Sequence, residues 1–173
     1  KNLIKNSKNL IIVTHWNPDG DAVGSSLALW HFLTQIGKKV TVIIPNSTPE
    51  FLNWMPGSKK MVNFEQNTLK AAKLIDSADL IFTLDFNNFK RLEKLGLLLE
   101  KSKSTKVLID HHQQPDSYAS YSFYDVAACS TCELIYDFII GLGDKKLIDK
   151  KIAACLYTGL MTDTGSFKYP SVN

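Results

Sequence analysis

The chain lacks any apolar run near the roughly 20 residues needed to span a bilayer. Its opening residues, KNLIKNSKNLIIV, lack the long apolar core and cleavage site of a secretory signal. No membrane partner is implied, and the cytoplasm is the expected compartment. Cysteine is scarce, with three in 173 residues, and an odd number does not suit a disulfide framework. Cys129 and Cys132 do form a C-x-x-C within AACSTCELIYDFI, but the aromatic neighbour and tight setting of a redox motif are missing. Ser130 and Glu133 instead have the spacing of a capping box, so the two cysteines read as small packing residues at a helix start. A long run of one charge is absent too. The net charge of +3 comes from scattered pairs such as Lys38/Lys39, Lys59/Lys60, Lys145/Lys146 and Lys150/Lys151, which fit solvated surface better than a polyanion patch. No internal repeat or low-complexity tract exists to suggest a solenoid or a disordered tail.

What is present is a 45% hydrophobic composition, ample for the core of one domain. Apolar runs of four to seven residues alternate with longer stretches of helical periodicity, the pattern of a parallel α/β sheet. Strands are predicted over Leu10–His15, Lys39–Pro45, Leu80–Phe86, Lys106–Asp110 and Ser120–Tyr124. Their near-continuous hydrophobicity suits strands covered on both faces. Helices are predicted from Ala22 to Gln35, with Gly37 as the stop, and near Gln66–Ser77, Phe89–Glu100, Thr131–Gly141 and Asp149–Thr162. Asn46 to Asn63, with two prolines and a glycine, reads as an irregular connection. The expected fold is an open, mainly parallel five-stranded sheet in the order 2-1-3-4-5, with helices on both faces.

Ligands of such a sheet bind beyond the carboxyl ends of its strands. His15, Asp85 and the Asp110-His111-His112 triplet all stand at predicted strand ends. In THWNPDGDAVGSS, Pro-Asp-Gly is a turn signal that accounts for Asp19 and Gly20 but not for His15 or Asp21. Gly24 and Ser25 follow at the expected helix N-terminus, where free N–H groups favour a phosphate. Asp85 closes the apolar run LIFTLD, a costly place for a carboxylate unless it binds a cation, and it is the natural bridge between two metals. Adjacent imidazoles at His111 and His112 point different ways, so one can hold metal while the other faces substrate. Asp163, in GLMTDTGSF, completes the set. Carboxylates and imidazoles without thiolates suit manganese, with magnesium or cobalt as other divalent candidates, rather than structural zinc. Two such ions roughly 3.5 to 4 Å apart activate water for displacement at phosphorus.

These residues resemble the DHH family of phosphoesterases over nearly the whole chain. The family's four motifs occur in order as HWNPDGDAVGS (15–25), LDF (84–86), DHH (110–112) and MTDTGSF (161–167). The wording of the first is most similar to the nanoRNase and pAp phosphatase branch. The resemblance implies that His15 and Asp19 hold one manganese, that Asp21, His111 and Asp163 hold the other, and that Asp85 bridges them. It further implies that His112 contacts the scissile phosphate and that Asp110 orients His111. Residues 1–173 would then be the catalytic domain of a longer protein, since nothing here matches the branch's C-terminal, glycine- and histidine-rich substrate-binding domain of the DHHA1 type. The implied partner is short RNA or a nucleotide, with a homodimer left open. Competing expectations are a cyclic or linear dinucleotide phosphodiesterase, a pyrophosphatase of the same fold, and a non-catalytic nucleotide-binding domain.

Overall fold

The apolar runs become strands because their alternate side chains can be buried on two opposite sides at once. In the computed structural model, which describes residues 1–169, Leu10 and Ile12 of β1 (Asn9–Val13) enter one core and Ile11 and Val13 enter another. The remaining strands are β2 (Lys39–Ile44), β3 (Val62–Asn63), β4 (Leu80–Leu84), β5 (Thr105–Asp110) and β6 (Tyr121–Tyr124). All pair in parallel, in the order β3-β2-β1-β4-β5-β6. The five predicted strands therefore lie in their predicted order. The sixth, β3, is a two-residue addition at the edge, within the stretch read as irregular, where Val62 pairs with Ile43.

The helices are α1 (Asn2–Asn6), α2 (Gly20–Gln35), α3 (Thr68–Asp76), α4 (Lys94–Lys101), α5 (Thr131–Gly141) and α6 (Lys150–Asp163). One face of the sheet is covered by α2, α5 and α6 through Val23, Leu27, Phe32, Ile135, Ile152 and Leu156. Ala71 and Ile75 of α3 and Leu95 and Leu99 of α4 cover the other. Each such fully buried large side chain contributes roughly 1.5–3 kcal/mol of transfer free energy. Among the described residues no helix is long and apolar enough to cross a membrane.

Three local departures from the expected elements have physical causes. First, α2 starts at Gly20, two residues early, because the Asp19 carboxylate caps it, accepting from the N–H groups of Asp21 and Ala22 at 3.0 Å each. At its far end Gly37 takes φ +76° just beyond the helix, as expected of a stop. Second, the helix expected over Phe89–Glu100 is split into a 3-10 turn, Phe89–Leu92, and α4, with Glu93 at φ +52° between them. Third, the five-residue α1 is too short to show periodicity in sequence.

Candidate metal centre

Parallel pairing of β1, β4 and β5 brings their carboxyl ends side by side, and the loops leaving them meet at one place. Asp85 stands there immediately beyond β4, buried, with a left-handed backbone at φ +65°. A non-glycine residue held there is strained, and such strain collects at functional sites. Its two carboxylate oxygens face different partners. Oδ2 lies 3.5 Å from His15 Nε2, whereas Oδ1 lies 3.6 Å from His111 Nε2. On the first side Asp19 Oδ2 is 3.9 Å from His15 Nε2. On the second, Asp163 Oδ2 and Asp21 Oδ2 stand 3.6 and 3.9 Å from His111 Nε2. His15/Asp19/Asp85 and Asp21/His111/Asp163 are thus two groups, each with donor atoms within 4.8 Å of one another, and Asp85 lies between them. His112 joins Asp85 and His111 in a third such group.

Each imidazole is aimed from behind. His15 Nδ1 is 2.8 Å from the carbonyl of Trp16, and His111 Nδ1 is 3.2 Å from that of Ala128. A carbonyl only accepts, so Nδ1 carries a proton, and Nε2 is the ring nitrogen that faces the cluster. Asp21 is fixed by the start of α5, receiving the backbone N–H of Thr131 at 2.6 Å and of Cys132 at 2.9 Å. Thr131 Oγ1 also donates to Asp85 Oδ1 at 2.9 Å. Thr131 was not singled out in the sequence; its only signal is the small-residue stretch opening α5.

Two expectations need correction. Asp110 does not orient His111. Its Oδ1 lies 2.7 Å from His112 Nδ1, and the carboxylate is fully buried at the end of β5. Gly24 and Ser25 are not at an exposed helix start either. They lie in the second turn of α2, buried, with Ser25 Oγ donating to the Asp21 carbonyl at 2.7 Å. A Cβ on Gly24 would stand 2.6 Å from the Cys155 carbonyl, so this glycine lets α2 approach α6.

Burial and mutual charge shift the protonation of these groups in different directions. Burial, then the neighbouring Asp85, pushes the Asp21 carboxyl well above the usual carboxylate range, and burial also raises Asp163. Burial would raise Asp85 as well, but the imidazoles of His111 and His15 outweigh it and hold its carboxyl well below that range. Burial opposes a charged His111, yet Asp85 and Asp21 prevail and move its pKa up to about 9. A divalent ion on each side of Asp85 would replace these protons, and the oxygen and imidazole donors suit a hard-to-borderline metal. Burial pushes the Cys129 thiol up to about 11, Cys155 up to about 12 and Cys132 well above its ordinary value, which keeps them as thiols at neutral pH. The capping box is present, with Ser130 Oγ accepting from the Glu133 N–H and the Glu133 carboxylate accepting from the Cys129 N–H.

Fold and cluster together define a doubly wound α/β domain with a carboxylate–imidazole centre at the carboxyl edge of its sheet. Residues 9–160 match the model of the DHH family, N-terminal domain, and the chain belongs to that family. It is 29% identical over 168 residues to the probable bifunctional oligoribonuclease and PAP phosphatase NrnA of Streptococcus mutans, covering 97% of this chain and 49% of that one. It is 31% identical over 160 residues to the bifunctional oligoribonuclease and PAP phosphatase NrnA of Thermus thermophilus, covering 92% and 44%. The crystal structure of an exopolyphosphatase-related protein from Bacteroides fragilis superposes with a TM-score of 0.98 at 42% identity, over 99% of this chain and 51% of the other. The chain thus spans about half the length of the curated relatives it matches.

Proposed function

We propose that this chain is the catalytic half of a manganese-dependent phosphoesterase that hydrolyses short oligoribonucleotides and 3′-phosphoadenosine 5′-phosphate. One observation carries the reading: the two oxygens of Asp85 face two separate donor groups, 3.5 Å from His15 and 3.6 Å from His111. His15 and Asp19 would hold one ion, Asp21, His111 and Asp163 the other, and Asp85 would bridge them. The relatives' names, oligoribonuclease and PAP phosphatase, support the substrate class. Two bound ions would supply a polarised water and neutralise charge building at phosphorus. Asp110 holds the His112 ring through Nδ1, and the Nε2 edge of that ring would face the substrate phosphate. The carbonyls of Trp16 and Ala128 hold the other two rings through Nδ1, so that Nε2 of each would be the ligating atom. Three free cysteines fit a cytoplasmic setting.

The test is a substrate panel with the intact protein and manganese: di- to pentaribonucleotides, 3′-phosphoadenosine 5′-phosphate, cyclic dinucleotides, pyrophosphate and polyphosphate. Mononucleotide release from the first two groups is expected. Turnover confined to pyrophosphate or polyphosphate would move the assignment to phosphoanhydrides, which the exopolyphosphatase-related neighbour brings into the panel. No turnover at all with metal bound would leave the nucleotide-binding reading.

A further inference from the structure

The chain has 20 lysines and arginines, and Arg91 is the only arginine. It sits in the 3-10 turn Phe89–Leu92, which is tied to both loops of the metal centre. The Trp16 N–H, next to His15, donates to the Arg91 carbonyl at 2.7 Å, and Arg91 Nη1 lies 3.4 Å from the carbonyl oxygen of Asp85. Its guanidinium is thus held within a few ångströms of the residue that stands between the two donor groups. A guanidinium has five N–H donors in a planar fork, and the Asp85 carbonyl engages only one nitrogen. Among the described residues no carboxylate forms a salt bridge with Arg91, although four aspartates crowd the adjacent cluster. The side chain is partly buried, so water screens it less than the surface lysines.

We propose that Arg91 is a phosphate-binding residue: its free N–H groups take an anionic oxygen of the substrate phosphate as that phosphate settles beside Asp85. A planar fork matches two phosphate oxygens, which a lysine ammonium does not. The carbonyl contact fixes the guanidinium in place, so little side-chain freedom is lost when the anion arrives. The proposed reaction supplies only the identity of the anion; the residue, its position and its free donors stand without it.

The contrasting role is structural, with Arg91 doing no more than pin the left-handed backbone of Asp85. The two roles separate in a titration of inorganic phosphate into the intact protein by calorimetry, with and without manganese, alongside manganese binding itself. Arg91→Ala is expected to weaken phosphate binding about 10- to 100-fold, the loss of charge-assisted hydrogen bonds, while manganese binds within about threefold of wild type. Arg91→Lys, which keeps the charge and guards against a misfolded alanine variant, is expected to recover part of the loss. With a nucleotide substrate the change appears in KM more than in kcat. Phosphate binding within twofold of wild type in both variants overturns the proposal. So does a parallel loss of manganese affinity in both, the signature of a displaced Asp85. If the wild type turns over no phosphoester, the proposed reaction falls while the phosphate titration still decides Arg91.

Discussion

Asp85 and Asp110 end neighbouring strands, and both are buried carboxylates, yet their surroundings give them different work. Asp85 is met by three imidazoles and a threonine hydroxyl, whereas Asp110 spends its Oδ1 on one ring, His112. Replacing Asp110 by asparagine keeps the shape but exchanges the carboxylate that holds His112 Nδ1 for a neutral amide. The expected outcome is a fall in kcat of about 10- to 100-fold, typical of losing a residue that orients a working imidazole, with manganese stoichiometry and affinity unchanged. Steady-state kinetics beside metal titration checks it. Had Asp110 served His111, metal affinity would fall by the same factor. That distinction was not legible in the sequence, because DHH shows three adjacent donors but not which rotamer each takes. Asp85 and Asp110 were legible as candidates, since a carboxylate ending LIFTL or VLI has no inexpensive alternative to a cation or partner. Thr131 was not, because a threonine at a helix start looks like ordinary capping.

At the scale of elements, α2 is the hub. Its first turn carries Asp19 and Asp21, and its second turn packs against α6 at Gly24 and α5 at Cys132. Asp19 is both N-cap and candidate ligand, and this double use moves the helix start ahead of Gly24 and turns a presumed phosphate cradle into a helix crossing. The sequence pattern around PDGD could not reveal that shift, because turn and cap favour the same residues. Gly24→Ala decides between the two roles. An added methyl 2.6 Å from the Cys155 carbonyl forces α2 and α6 apart. Overpacking of this kind costs about 1–3 kcal/mol, and thermal unfolding should show a midpoint lowered by roughly 2–12 °C. A phosphate contact would instead raise KM and leave the midpoint where it was. The two-residue β3 and the five-residue α1 escaped detection for a simpler reason: neither is long enough to carry a period.

At the scale of the whole molecule, strand order was legible because buried parallel strands announce themselves as continuous apolar runs, and their order places every candidate ligand on one edge. That concentration of charge sets how stability responds to pH and metal. Asp21 has a raised native pKa, so its protonated form favours folding; that contribution is present at low pH and is lost as pH climbs through the native value. His111, raised to about 9, contributes fully below its ordinary 6.5 and loses that contribution as pH passes about 9. In the metal-free protein, protons therefore do part of what divalent ions would do. A divalent ion held by these groups would have to expel them, since carboxylate and neutral imidazole are the ligating forms. Affinity is accordingly expected to rise with pH up to about 9, by about tenfold per pH unit for each proton released. Thermal midpoints measured with manganese and with chelator from pH 5 to 9 should diverge as pH rises, and chelation should reverse the gain. A stabilisation that is equal at every pH, or largest at pH 5, would mean that the metal binds elsewhere than around Asp85.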